Sequence, residues 1–164
     1  MAVDPGGTIG ISVGPSTLLT IPEGLWGGLS ELNTWQLRRE PWREWRDPDV
    51  AVVMRILVGF RKLRCSLLIV ESWESRPRIV LKGGDEALSS HTQASMLQFA
   101  FAQKWMDNRL HFQSASQGKS IWNDDRLKKV GLFRTPKTTW RHANDATRHY
   151  LMFLRRVQNG EVKL

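Results

Sequence analysis

Cys65-Ser66-Leu67-Leu68-Ile69-Val70-Glu71 is a short, unbroken apolar run that ends on a carboxylate. A surface helix would interrupt such a run with polar residues, and a strand with one wet face would alternate. A continuous run of this length therefore predicts a strand covered on both faces, the centre of a sheet packed between helices. Glu71 then stands at the end of that strand. Cys65, the only cysteine, reads as a buried strand residue; no internal disulfide can form, and redox chemistry is not indicated.

On the N-terminal side, Asp47-Pro48 has the N-cap and first-turn chemistry of a helix start. Val50, Val53, Met54, Ile56, Leu57 and Phe60 follow at helical spacing, which predicts a helix over about 48–62. Thr34-Trp35-Gln36-Leu37-Arg38 reads as a strand after a connection from Pro22 to Asn33. Met1 to Val13 reads as antiparallel strands about a Pro5-Gly6-Gly7 turn, and Ser16 to Ile21 as a further extended stretch. On the C-terminal side, Gly83-Gly84 precedes Asp85, a cap for a long helix with apolar Leu88, Met96, Leu97, Phe99, Ala100 and Phe101, running as far as Trp105. Leu110 to Ser114 is a strand, and Asp124 or Asp125 opens a short helix through Lys129. Arg141 to Val157 is an amphipathic helix with Ala146, Tyr150, Phe153 and Val157 on one stripe. The order β-β-β-α-β-α-β-α, with no internal repeat, predicts one α/β domain spanning 1–164, a mixed sheet with helices packed on it.

Composition narrows the function. The hydrophobic and charged shares, 41% and 24%, are those of a globular domain, and no apolar run approaches the ~18 residues of a membrane span. The opening Met1-Ala2-Val3-Asp4-Pro5 has no secretion pattern, so an intracellular location is expected. The net charge is +8, and residues 126–164 hold ten Lys and Arg against Asp145 and Glu161, so the last quarter carries the whole excess. A polyanionic partner is the natural inference.

Three acids lie where a fold can aim them: Asp4 before the glycine turn, Glu71 at the strand end and Asp145 near the start of the last helix. Carboxylates at the ends of buried strands are costly unless a cation meets them, and a divalent metal is one candidate. On the last helix, with His142 at zero, Asp145 falls at about 300° and His149 at about 340°, beside a core stripe at about 20° to 80°. The polar pair His142 and Asp145 thus borders the core and can reach the strand ends. Hard oxygen donors suit Mg²⁺, with Mn²⁺ as a substitute; one cysteine and scattered histidines supply no zinc-finger spacing. Singly, these residues also read as a turn, a strand end and a helix terminus; it is their combination that points to a metal.

Asp4-Pro5-Gly6-Gly7-Thr8-Ile9-Gly10, Ile69-Val70-Glu71 and His142-Ala143-Asn144-Asp145-Ala146-Thr147-Arg148-His149 together resemble the RuvC-like Holliday-junction resolvases of the RNase H-like superfamily. Gln113-Ser114-Ala115-Ser116 with Lys119, and Asp124-Asp125-Arg126-Leu127-Lys128, look like the bacteriophage branch of that family. The resemblance implies an RNase H-like fold, a five-stranded sheet with three antiparallel and then parallel strands flanked by helices. It implies a magnesium-dependent endodeoxyribonuclease that cuts branched DNA with two metal ions. Asp4, Glu71 and Asp145 would hold the ions with His142 beside them, and Glu74 is an alternative to Glu71. Lys119, Lys128, Lys129, Arg134, Lys137, Arg141 and Arg148 would grip phosphates, and Trp122, Trp140 and Phe133 are candidates to stack on bases. A homodimer, and a phage or prophage product acting in the bacterial cytoplasm, are implied in the same way.

Two other readings compete. One is a noncatalytic branched-DNA-binding module on the same frame. The other takes Asp4 to Thr8 as the phosphate loop of an actin-like sugar kinase, an enzyme that needs two domains around a nucleotide cleft where 164 residues supply one.

Overall fold

The first strand, β1 (Ala2–Asp4), is buried along its whole length and turns at Pro5 and Gly6 into β2 (Thr8–Val13), which returns antiparallel with Asp4 opposite Gly10. In the computed structural model, residues 1–14, 32–72, 77–103 and 109–162 are described, with side chains for all of these but 77–87 and 115. The predicted extended stretch Ser16 to Ile21, Glu74 and Trp105 lie outside them.

The third strand, β3 (Asn33–Arg38), lies antiparallel to β2, with Thr8 opposite Arg38. Helix α1 (Pro48–Lys62) begins as the sequence predicts: the Asp47 side chain accepts hydrogen bonds from the amides of Asp49 and Val50 at 2.8 and 3.0 Å. β4 (Leu68–Ser72) runs parallel to β1 with Val3 opposite Val70, and β5 (Leu110–Ser114) runs parallel to β4 with Glu71 opposite Gln113. The sheet order is β3-β2-β1-β4-β5, three antiparallel strands followed by parallel ones, as the resemblance implies. Helices α2 (Pro77–Gln103), α3 (Ala115–Ile121), α4 (Asp124–Lys129) and α5 (Arg141–Gln158) complete the chain.

Strand alternation divides the core in two. Val3, Ile9, Ile11, Leu68 and Val70 pack with Val52 and Ile56 of α1 and Leu97 and Phe101 of α2 on one face. Ala2 and Ile69 point to the other, among Trp122, Leu127, Tyr150, Leu151, Phe153 and Leu154. The apolar run at 65–71 therefore is a strand covered on both faces, though it starts at Leu68. Cys65 closes α1 instead: its amide donates to the Phe60 carbonyl at 3.0 Å, and the side chain is only half-buried.

Three further expectations change. Gly83-Gly84 does not precede the long helix, because α2 already runs from Pro77 and passes through both glycines. Glycine weakens a helix interior by about 1 kcal/mol but does not end it without a competing turn. Leu97 and Phe101 of that helix are buried, whereas Leu88 and Phe99 are 57% and 66% exposed. α3, which the sequence does not announce, lies with α4 against α5, so every residue from Ala143 to Leu154 is buried rather than one stripe.

Candidate active site

Asp4 and Glu71 each follow a residue of the Val3–Val70 pair on adjacent parallel strands, so they leave the same end of the sheet. Since Val3 and Val70 face α1 and α2, the alternation turns Asp4 and Glu71 toward α5. α5 crosses that face at very close range. A Cβ on Gly10 would lie 1.8 Å from the His142 carbonyl oxygen and 2.8 Å from the Ala143 nitrogen, so only glycine admits the helix start at this height.

The crossing gives each acid a partner. His142 Nδ1 lies 2.8 Å from Asp4 Oδ2, and His149 Nε2 lies 2.8 Å from Glu71 Oε2. Lys119 Nζ of α3 stands 3.1 Å from Asp145 Oδ2. Arg148 donates to Asp145, to Asp124 and, at 2.7 Å, to the Trp122 carbonyl. Asp4 and Asp145 are buried, at 6% and 4% exposure.

These surroundings set the charges. Burial pushes the Asp4 carboxyl up, the charges of Glu71 and Asp145 push it further, and the His142 hydrogen bond pulls it back; the result is a rise from 3.8 to about 7. Burial would also raise Glu71, but hydrogen bonding and charge from His149, with help from Lys119 and a hydrogen bond from Asp4, hold it below the usual range. His142 is raised, first by its hydrogen bond with Asp4, against the opposing effect of burial.

A second buried network holds the turn that carries Asp4. The Gly6 amide donates to Gln93 Oε1 at 3.1 Å, Gln93 Nε2 donates to the Gly6 carbonyl at 3.2 Å and to Asp49 Oδ1 at 2.7 Å, and the Ser90 hydroxyl donates to the Pro5 carbonyl at 3.2 Å. Arg39 grips Asp49 with two hydrogen bonds of 2.8 and 3.0 Å. Burial alone would raise Asp49, but Arg39, Ser89 and Gln93 outweigh it and hold the group low.

A cleft of about 640 Å³ opens beside Asp145, lined among others by Lys119, Asp124, Lys137, Arg141 and Arg148. Of the seven basic residues expected to meet phosphates, Lys119, Lys128, Lys129, Arg134, Lys137 and Arg141 are exposed. Lys128 and Lys137 pair with Asp125 and Asp124 at 3.3 and 2.6 Å. Arg148 is different. It is 5% exposed and committed to three acceptors, so it braces Asp145 instead of meeting a surface ligand. Trp122, expected as a stacking platform, is 3% exposed and packs in the α5 core; Trp140 and Phe133 are half-buried.

Sequence reasoning passed over Gln113, Asp124, Gly10 and the role of His149. His149 left a signal, four residues after Asp145 and on the same helix edge; Gln113 and Gly10 stood only as members of longer motifs, because their individual roles come from what crosses them.

Three carboxylates and an imidazole gathered in a partly desolvated corner have the donor chemistry of a hard divalent cation site. Among the described residues, no three His, Cys, Asp or Glu side chains are grouped so as to hold a metal ion as they stand. The acids face Arg148, Lys119, His142 and His149, and an ion would have to take over some of those partnerships.

A mixed five-stranded sheet in this order, flanked by helices, defines an RNase H-like α/β fold. The chain is similar in structure to RuvC of Thermus thermophilus. Against that protein in complex with a Holliday junction substrate the TM-score is 0.65 at 13% identity, covering 99% of this chain and 96% of that one. Against a second Thermus thermophilus RuvC structure it is 0.60 at 14% identity, covering 97% and 95%. At such identity the likeness shows the fold. No protein-family model and no curated protein matches the chain.

Proposed function

We propose that the chain is a metal-dependent endodeoxyribonuclease that cuts branched DNA, four-way junctions above all, by phosphodiester hydrolysis. The observation that carries this reading is the placement of Asp4 and Glu71 at the same end of adjacent parallel strands, under the helix that brings His142 and Asp145 across them. The RuvC fold supports it, since one of the similar structures holds a Holliday junction substrate.

In this reading Asp4, Glu71 and Asp145, with His142, hold Mg²⁺ or Mn²⁺. Two such ions would supply a water of lowered pKa and a Lewis acid for the leaving 3′ oxygen. His142 holds Asp4 in place and keeps a proton beside it. Lys119, half exposed on Asp145, would meet the phosphate. Lys128, Lys129, Arg134, Lys137 and Arg141 grip the flanking backbone without reading sequence.

Paired nicks across a four-way junction need two sites, so we propose a second copy of the chain as partner. The exposed Leu88 and Phe99 of α2 give that copy an apolar face. Among the described residues no helix is long and apolar enough to cross a membrane. On the resemblance of Gln113-Ser114-Ala115-Ser116 with Lys119, and of Asp124 to Lys128, to the phage branch, we propose action on phage or prophage DNA in the bacterial cytoplasm.

The test is purified protein with Mg²⁺ on four-way, flap, fork and linear DNA. Cleavage of the four-way junction, lost in Asp4→Asn and Asp145→Asn, is expected; equal cutting by those variants sinks the proposal. The engagement of Asp145 by Arg148 and Lys119 favours one second reading, a branched-DNA-binding protein without catalysis. Junction binding with no cleavage in either Mg²⁺ or Mn²⁺ would select it.

A further inference from the structure

Glu71 is held from behind. His149 lies one turn beyond Asp145 on α5, is 1% exposed, and touches Glu71 Oε2 through Nε2. Its other nitrogen, Nδ1, is 3.2 Å from Oε1 of Gln113, which is itself 1% exposed and sits opposite Glu71 in the sheet. Gly118 of α3 closes a third side, since a Cβ there would come within 3.4 Å of the ring at Cε1. The imidazole is therefore shut off from solvent with little room to turn.

The direction of these hydrogen bonds follows from what each group can do. An ionised carboxylate only accepts, so Nε2 must carry a proton and donate it to Glu71. Nδ1 then has two options. It donates to the Gln113 oxygen if the ring is charged, or it accepts from the Gln113 amide nitrogen if that group is turned over. Gln113 Nε2 has no partner in its present orientation, which leaves it free for the second arrangement. Under either option Nε2 keeps its proton and donates it to Glu71 Oε2. Ionised Glu71 is thus held through Oε2 in one orientation, with its other oxygen turned toward the Asp4 side of the site.

We propose that His149, oriented by Gln113, is the positioning residue for Glu71: it ties up one carboxylate oxygen so that only the other is offered to a divalent cation. This rests on the nuclease reading above. Residues that hydrogen-bond a metal-ligating side chain typically change metal affinity or activity about 10- to 100-fold when removed. Arg148 serves Asp145 and His142 serves Asp4, whereas His149 is the buried imidazole that meets Glu71.

The experiment measures Mn²⁺ binding by calorimetry on the protein without DNA, together with kcat and KM on a four-way junction, for wild type, His149→Ala, His149→Gln and Gln113→Leu. His149→Ala is expected to weaken Mn²⁺ binding about 10- to 100-fold and to lower kcat with KM for DNA nearly unchanged. His149→Gln, whose amide still donates toward Glu71, should recover most of the loss. If His149→Ala does not fold, Gln113→Leu replaces it, with a smaller loss in the same direction. Wild-type Mn²⁺ affinity in the folded variants overturns the positioning role while leaving the nuclease reading standing. Failure of the wild type itself to bind Mn²⁺ or cut DNA overturns both.

Discussion

Arg148 and Asp145, one turn apart on α5, form a buried ion pair whose second arm reaches Asp124 on α4. The pair joins the third catalytic candidate to the wall of the neighbouring cleft, and Lys119 adds a second cation from α3. Asp145 is thus kept in place without solvent.

Removing one partner of such a pair leaves an uncompensated buried charge, which is more costly than the pair itself is favourable. Arg148→Met is therefore expected to lower unfolding stability by about 3–5 kcal/mol, read from urea denaturation. Adding Asp145→Asn should restore part of that loss. Additive single-site effects would show that the two side chains are not coupled.

The raised Asp4 and His142 have a common consequence for pH. A carboxyl raised from 3.8 to about 7 favours folding least once it must ionise, so its contribution falls as pH rises from about 4 through 7. A histidine raised above 6.5 stabilises fully below that value and loses its contribution as pH climbs through the folded pKa. Both signs agree: the melting temperature of the metal-free protein should fall between pH 5 and pH 8. Asp4→Asn removes the titrating acid and the partner of His142 together, so its melting temperature should change much less over the same span. A fall as steep as the wild type's would contradict the assignment.

Gly10 has no room for a methyl group, since its Cβ would overlap the His142 carbonyl. Gly10→Ala must push the start of α5 off β2, carrying His142 away from Asp4. A loss of about 3 kcal/mol is expected, at the upper end for overpacking. Cleavage should be lost even at temperatures where circular dichroism shows the variant folded. Retained activity would mean that the close crossing does not set the site.

The exposed cations should announce themselves through salt. Lys129→Ala, Arg134→Ala and Arg141→Ala are each expected to weaken junction binding and to reduce the slope of log affinity against log salt by about one. Binding is measured in Ca²⁺ across a salt series. Slopes that do not move would place the DNA elsewhere on the surface.

Local chemistry was enough to read much of this architecture. The apolar run ending at Glu71, the Asp47-Pro48 helix start, the Pro5-Gly6-Gly7 turn and the strand at 110–114 all rest on patterns a few residues long, and all recur in the structure. Asp4, Glu71 and Asp145 were legible as candidates for the same reason: an acid at the end of an apolar strand or the start of a helix stands out where it is. The boundaries that moved were those without a local stop signal, as at Cys65 and Gly83-Gly84.

What the chain order could not reveal is which cation meets which acid. Arg148 reads as one more basic residue in a basic tail, Trp122 as a candidate for stacking, and Gln113 as a polar strand residue. Each is reassigned by α3 and α4, which cover α5 and remove its solvent-facing side. Burial is a property of the packed whole, and it turns a surface arginine into a brace and a neutral glutamine into a guide for an imidazole. Sequence by itself determined the central strand, helices α1 and α5 and the candidate acids; only tertiary packing decided how those acids are held, because the partners lie up to 138 positions apart along the chain and meet through α5 crossing the sheet.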